Sequence, residues 1–156
     1  MAEKIYRAGM ILYHFTPEKT LEMLFMKPSD PNYGGPRFQI TKGKVEPGES
    51  AVQAAIREAQ EEVGLFPGNI EGDIHELGRF LGRTDFFVAK IKDKNAFGLP
   101  NFETGEVKWM TPEQFDEEGR SLHKPVVKAA VRLIANLEKS EETDGAEQTR
   151  KDQPKD

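Results

Sequence analysis

Cysteine is absent from this chain of 156 residues. Its absence excludes disulfide bonds, thiol nucleophiles and metal sites built from cysteine. A chain without disulfides suits a reducing compartment, so we expect a cytoplasmic location. Histidine is also scarce: His14, His75 and His123 are scattered along the chain. We interpret each of them as a surface or hydrogen-bonded histidine rather than a catalytic one.

Long apolar runs are missing as well. The N-terminal sequence MAEKIYRAGMILYHF has one brief apolar run and no small-residue cleavage site, so it predicts neither a signal peptide nor a membrane span. The formal net charge is -5, and no stretch of the chain forms a basic stripe. We therefore expect neither duplex DNA nor a membrane among the partners of this chain.

The length and the 37% hydrophobic content fit a single globular domain with one core. From Glu138 to Asp156 the chain is polar, lacks aromatic residues and carries seven acidic against four basic residues. Such a composition cannot bury enough apolar surface to fold. We expect one domain over residues 1–138 and a disordered tail over residues 139–156.

The stretch GKVEPGESAVQAAIREAQEEVGL, from Gly43 to Leu65, organises the chain. It reads as a Gly/Pro-rich loop followed by a helix. Ser50 and Gln53 have the spacing of a capping box, which predicts the start of the helix. Gly64 fits the left-handed residue just past the C-terminal end of a helix, and a proline follows shortly after it.

The two sides of this helix differ. Apolar residues recur at helical spacing and predict one buried stripe: Val52, Ala55, Ile56, Ala59 and Val63. Glu58, Glu61 and Glu62 lie on the flank away from that stripe, where like charges one turn apart and the helix dipole both disfavour them. Either this is a solvated acidic face, or a divalent cation with oxygen ligands balances the charge.

The spacing of the loop and the helix together favours the second interpretation. Eight residues follow the pattern G-x5-E-x7-R-E-U-x-E-E-x-G-U, where U is aliphatic: Gly43, Glu49, Arg57, Glu58, Glu61, Glu62, Gly64 and Leu65. This pattern resembles the Nudix box of the Nudix hydrolase family. Ala59 departs from it, because Leu, Ile or Val is more usual there. A small apolar residue at that position still faces the core.

Other elements are predicted from alternation and turn residues. We expect strands over 5–13, 21–26, 38–41, 74–81, 84–91 and 106–110, and later helices starting at Thr111 and spanning 125–137. This order predicts an α/β fold in which a mixed β-sheet lies between helices. It is similar to the α/β/α sandwich of the Nudix fold. Trp109, six residues after Glu103 and just before a Thr-Pro-Glu helix start, agrees with that resemblance.

The resemblance implies a metal-dependent cleavage of a pyrophosphate bond. It places Mg²⁺ or Mn²⁺ on Glu58, Glu61 and Glu62, with the backbone carbonyl of Lys42 as a further ligand and Gly43 allowing close approach. It leaves the general base open between Glu61 and Glu103, with Glu106 as the fallback. Arg57 and Glu49 belong to the box as well, and we favour a structural role for both, in which they pair across the junction of loop and helix.

The substrate is less well defined than the chemistry. The loop 28–37 is either a simple connection or a rim over the substrate, with Tyr33 or Arg37 reaching a base or a phosphate. Lys42 is a further substrate-binding candidate. Phe80 stands about where dinucleoside tetraphosphatases of the family often carry a base-stacking tyrosine, although a core phenylalanine is an equal interpretation.

The segments TKGKVEPGES and ETGEVKWMTPEQF resemble two branches of the family. One branch acts on dinucleoside polyphosphates such as Ap4A, and the other acts on the 5′-pyrophosphate of RNA. The partner would then be a nucleotide-derived small molecule or an RNA 5′ end. The alternatives are a pyrophosphatase of ADP-ribose or nucleotide sugars, and a non-catalytic nucleotide-binding module of the same fold.

Overall fold

The computed structural model describes the backbone of residues 6–152 and the side chains of residues 6–140. Six strands form one sheet: β1 (Arg7–Phe15), β2 (Leu21–Pro28), β3 (Thr41–Lys44), β4 (Ile70–Phe80), β5 (Thr84–Ile91) and β6 (Thr104–Met110). Three helices cover it: α1 (Ala51–Val63), α2 (Pro112–Glu118) and α3 (Lys124–Asp152). Within the described backbone, no helix is both long and apolar enough to cross a membrane.

The sheet is mixed, as the sequence predicted. The strand order is β4-β5-β1-β2-β6, and β3 pairs with the first half of β1. Strand β1 runs parallel to β5 and antiparallel to β2 and β3. Residues of β1 alternate between two cores: Met10 and Leu12 pack with α1, and Ile11 and Tyr13 pack with the core that α2 and α3 cover. The predicted α/β/α sandwich is confirmed.

Helix α1 begins and ends where its local signals place it. The Ser50 hydroxyl accepts from the backbone N–H of Gln53, and the Gln53 side chain accepts from the N–H of Ser50. Gly64 adopts φ 74° and ψ 27°, the left-handed conformation that favours glycine. The second predicted capping box, Thr111 with Gln114, starts α2 in the same way.

Three elements differ from the sequence prediction by three or more residues at an end. Strand β3 spans Thr41–Lys44 instead of 38–41, so Gly43 lies in a strand rather than a loop, because pairing with β1 extends the backbone there. Strand β4 begins at Ile70 instead of 74, and a register shift near residue 73 accommodates the polar segment. Helix α3 continues to Asp152, past the expected end at Leu137. The side chains of residues 141–156 lie outside the described residues, so the separate disordered tail stays a prediction.

Candidate active site

Strand β3 and helix α1 approach each other most closely at Gly43 and Glu58. A Cβ atom at Gly43 would overlap the Glu58 carboxylate, so only glycine fits between them. Two residues earlier in β3, the Thr41 hydroxyl donates to Oε2 of Glu62 over 2.9 Å. The alternation of β3 therefore presents Thr41 and Gly43 to the acidic flank of α1. Strand β3 therefore covers Glu58 and Glu62, whereas Glu61 on the same flank is exposed.

Burial makes the Glu58 and Glu62 carboxylates difficult to ionise together. Glu62 is 9% exposed, and burial raises its pKa to about 8. The neighbouring charge of Glu58 raises it further, whereas the Thr41 hydroxyl and a backbone N–H of Lys42 oppose the shift. Burial also raises the pKa of Glu58, although Arg57 opposes this. Two crowded carboxylates in a partly buried position favour a positively charged ligand.

Arg57 fastens the segment before the helix to α1. Its Nε and Nη2 atoms donate to the two oxygens of Glu49 over 2.9 and 3.0 Å, and Nη2 also donates to the carbonyl of Lys44 over 2.8 Å. Nη1 donates to Glu58 over 2.9 Å. The expected pairing of Arg57 and Glu49 across the junction is thus present, and it lowers the pKa of the Glu49 carboxyl.

A cavity of about 790 Å³ opens beside these residues. It brings together six of the residues that the sequence proposed for the site: Tyr33, Lys42, Gly43, Glu58, Glu62 and Glu103. The volume lies in the range of small-molecule sites. Its lining joins the end of helix α1, strand β3 and two loops distant in sequence, and this arrangement can hold an extended polar ligand.

Other candidates lie elsewhere. Glu61 is largely exposed, with its carboxylate 3.6 Å from Nη1 of Arg57, and it is not part of the cavity lining. The guanidinium of Arg37 donates to the carbonyl of Glu117 over 3.0 Å, which directs it to α2. Phe80 packs against the core, edge-to-face with Phe86 at 6.1 Å between centroids. Glu106, the fallback base, is exposed and 3.9 Å from Lys27.

The loop that carries Glu103 is tied to both sides of the cavity. The carbonyl of Glu103 accepts from the backbone N–H and the hydroxyl of Ser29 over 2.8 and 3.1 Å. The N–H of Asn101 donates to the carbonyl of Glu61 over 2.7 Å, and the Thr104 hydroxyl donates to the carbonyl of Glu62. The loop thus satisfies carbonyls at the C-terminal end of α1 and holds Glu103 at the cavity.

Of the three histidines, His123 is fully buried. Its Nδ1 accepts from the backbone N–H of Ile40 over 3.1 Å, next to β3. Burial, together with the charges of Lys42 and Arg120, lowers its pKa to about 3, so it is neutral and supports the strand. His14 contacts Glu22 over 2.7 Å, away from the cavity.

Three residues that the sequence did not single out take part in the arrangement: Thr41, Arg7 and Arg120. Arg7 and Arg120 line the cavity from β1 and from the turn after α2. They are distant from the box in sequence, and neither lies in a recognisable motif. Thr41 has a weak signal, since it stands two residues before Gly43 and shares its face of the strand.

Glu58 and Glu62 are two oxygen-bearing side chains of the cavity that could hold a hard cation together, and the expected set with Glu61 stays a prediction. Among residues 6–140, no three acidic or histidine side chains are arranged to hold a metal ion. Glu58 and Glu62 nevertheless present adjacent carboxylates, and Gly43 leaves their approach to β3 open. Mg²⁺ is commonly held by one or two carboxylates together with substrate phosphates and water. Glu58 and Glu62 could therefore hold such an ion at the cavity, whereas Glu61 lies outside the cavity lining.

Comparisons with known proteins identify the family of this chain. A family model of the NUDIX domain matches residues 6–130. The chain is 29% identical over 119 residues to the mouse bis(5′-nucleosyl)-tetraphosphatase [asymmetrical], covering 68% of this chain and 78% of that protein.

Solved structures share the fold at lower identity. An Ap4A hydrolase of C. elegans in a binary complex superposes with a TM-score of 0.69 at 22% identity, over 85% of this chain and 99% of that one. The NUDIX domain of Shewanella oneidensis NrtR, complexed with ADP ribose, gives 0.66 at 15% identity, over 86% and 90%. Because the family model spans most of the chain, from Tyr6 to Ala130, this protein belongs to the Nudix family and is a Nudix hydrolase.

Proposed function

We propose that this chain is a metal-dependent pyrophosphohydrolase that cleaves a phosphoanhydride bond in dinucleoside polyphosphates such as Ap4A. The observation that carries the proposal is the cavity that the half-buried Glu58, the buried Glu62 and the basic Lys42 line together. A polyphosphate with a divalent cation complements both signs of charge. The similarity to the mouse tetraphosphatase supports this substrate class.

Each residue has a task in this reaction. Glu58 and Glu62 hold Mg²⁺ or Mn²⁺. The backbone carbonyl of Lys42 is a further ligand, and Gly43 allows the backbone to come close to the ion. The bound ion supplies charge neutralisation on the phosphate oxygens and acidifies water. Glu103 accepts the proton of the attacking water, because its side chain lines the cavity whereas Glu61 lies outside it.

Two further tasks position the substrate and the box. Tyr33 is 76% exposed and lines the cavity, so its ring is free to stack on a base. Arg57 acts as a positioning residue, because it holds Glu58 and the segment containing Glu49 in place. Loss of the hydrogen bonds from the Arg57 guanidinium would leave the metal-binding carboxylates misaligned.

The second candidate is cleavage of ADP-ribose or a nucleotide sugar. The NrtR domain complexed with ADP ribose favours it, although the likeness concerns the fold alone at 15% identity. RNA with a 5′-pyrophosphate is the third candidate, and it shares the polyphosphate chemistry. A non-catalytic module would not require the crowded, buried carboxylates of α1.

A substrate panel tests the proposal. Ap4A, ADP-ribose, NADH, nucleoside triphosphates and capped or triphosphorylated RNA are incubated with the chain and Mg²⁺ or Mn²⁺, with a chelator as the blank. We expect the highest kcat/KM with the dinucleoside polyphosphate and none in the chelator. Glu62→Gln should be inactive, whereas Glu18→Gln, at an exposed glutamate outside the cavity lining, serves as the active control. Preference for ADP-ribose, or full activity in chelator, would overturn it.

A further inference from the structure

Three cationic side chains line the cavity on the face of β3 away from the acidic flank of α1: Arg7, Lys42 and Arg120. We call them the cationic wall. In the register of β1 and β3, Gly9 pairs with Lys42 and Arg7 pairs with Lys44. Directly paired residues share a face of the sheet, and so do residues two apart in a strand. Arg7 and Lys42 therefore leave the sheet on the same face.

Arg120 reaches the same place from a different element. Its backbone N–H donates to the carbonyl of Phe38 over 2.8 Å, which anchors the turn after α2 beside β3. Its Nη1 lies 2.9 Å from the position that a Cβ would take on Gly34, at the base of the loop that carries Tyr33. The cationic wall thus combines residues from β1, β3 and the α2–α3 turn. These residues are distant in sequence, and only the tertiary fold brings them together.

Glu62 and Glu58 lie near enough to Lys42 to raise its pKa, but among the residues that the structure describes no acidic side chain forms a direct ion pair with the cationic wall. Across the described side chains, none of the ion pairs includes Arg7, Lys42 or Arg120. Burial lowers the pKa of Lys42, and the charges of Arg120 and Arg7 lower it further, whereas the charges of Glu62 and Glu58 raise it. The repulsion among the three half-buried cations destabilises the free protein, and an anionic ligand would relieve it.

The chemistry of the wall points to phosphate oxygens. Arginine presents a planar fork that binds a phosphate through two hydrogen bonds, and lysine adds a compact charge. When a cation on Glu58 and Glu62 binds a diphosphate, it neutralises most of the negative charge, so little remains to interact with the cationic wall. A longer chain of phosphates carries additional negative charges that extend past the carboxylates.

We propose that Arg7 and Arg120, together with Lys42, bind the distal phosphates of the substrate and so select compounds with three or more linked phosphates over diphosphates. This inference rests on the proposed function, and it adds the residues that set the preference for phosphate number. Arg7 and Arg120 are specificity-determining residues in this arrangement.

The test measures anion binding apart from turnover. Inorganic tripolyphosphate, pyrophosphate and orthophosphate are titrated calorimetrically into the full chain in excess EDTA. We expect tripolyphosphate to bind most tightly, and Arg7→Gln or Arg120→Gln each to weaken it about tenfold, as loss of one charge-assisted contact does. Arg7→Lys and Arg120→Lys should retain most of the affinity. Arg132→Gln, an exposed arginine of α3 in a separate groove, is the matched control.

A stability readout separates binding from a structural role. Because the wall repels itself in the free protein, Arg7→Gln and Arg120→Gln should leave the melting temperature unchanged or raise it slightly. In the hydrolysis assay both variants should lose about tenfold in the ratio of kcat/KM for Ap4A to that for ADP-ribose.

Wild-type affinity for tripolyphosphate that is no greater than for orthophosphate, or unchanged affinity in both glutamine variants, would overturn the inference. Failure of the proposed function looks different: the wild-type chain would cleave no dinucleoside polyphosphate, while the titrations would still follow Arg7 and Arg120. If the wild type and both variants cleave Ap4A equally well, the function stands and the cationic wall does not.

Discussion

The Thr104 hydroxyl donates a 2.7 Å hydrogen bond to the backbone carbonyl of Glu62. It links the residue after Glu103 directly to the residue whose carboxylate lies in the cavity. This short contact between strand β6 and the end of α1 therefore helps to fix the position of Glu103, the candidate base, relative to Glu62, the candidate metal ligand.

Thr104→Val removes this contact with little change in shape. We expect it to lower the free energy of unfolding by about 1 kcal/mol, because a partly buried carbonyl loses its donor. Turnover should fall while Mn²⁺ affinity stays near the wild-type value, since Glu62 itself is unchanged. Denaturant unfolding and kinetics on Thr104→Val and Thr104→Ser make the comparison. The serine variant keeps the hydroxyl, and equal losses in both variants would contradict this reason.

Glu62→Gln and Glu103→Gln separate metal binding from proton transfer. The first variant should lose turnover and Mn²⁺ affinity together, because it removes one of two adjacent carboxylates. Glu103→Gln should lower turnover by about 10²–10⁴-fold, the usual contribution of a general base, with Mn²⁺ affinity nearly unchanged. Both are measured by kinetics and Mn²⁺ titration. If Glu103→Gln retains full activity, Glu61 becomes the base to test.

Stability of the metal-free protein should decline on the alkaline side. The pKa of Glu62 is about 8 in the folded state against an ordinary value of 4.5, so the folded protein holds a proton that the unfolded chain has released. Stability from this group is complete below pH 4.5 and is lost as the pH rises through 8. Between pH 6.5 and 8 we expect a loss of roughly 1 kcal/mol in chelator. Thermal unfolding of Glu62→Gln should show a flatter slope there, and an identical slope would refute the assignment.

Below pH 6.5 His123 opposes the slope that Glu62 produces, and below pH 4.5, where the contribution of Glu62 is complete, it should reverse that slope. Its pKa is about 3 in the folded state against an ordinary value of 6.5, so the unfolded chain takes up a proton that the folded protein refuses. Stability from this group is present above pH 6.5 and is lost as the pH falls toward 3. His123→Gln keeps an acceptor for the N–H of Ile40 and cannot titrate. Its stability relative to that of the wild type should therefore rise as the pH falls from 6.5 to 4, and denaturant unfolding of both proteins at several pH values measures that difference.

Local signals predicted the parts of the fold that depend on local contacts. The capping boxes at Ser50 and Thr111 and the left-handed Gly64 need only their own neighbours in sequence, and all three are present. The segment TKGK of β3 has few strand-forming residues, and only pairing with β1 makes it a strand. Reading Gly43 as part of a loop was wrong for this reason.

The sequence predicted the acidic residues of the candidate site but not the residues that surround them in the cavity. Spacing identified Glu58 and Glu62, but a helical period cannot reveal that β3 covers their flank. Glu103 lies at the cavity because Ser29, 74 positions away in sequence, holds its carbonyl. Arg120 has no sequence signal, since its role depends on where the turn after α2 meets β3.

The central position of β1 has a consequence for biosynthesis. Strand β1 precedes its parallel partner β5 by a long stretch of chain. The pair of Arg7 with Thr84 can form only after α1 and three further strands have been synthesised. Pairing at such sequence separation is slow, because a long loop must close first. The emerging chain therefore keeps one edge of β1 unpaired until β5 leaves the ribosome. Nascent chains stalled before Thr84 should remain protease-sensitive, whereas chains stalled well beyond α3 should be resistant.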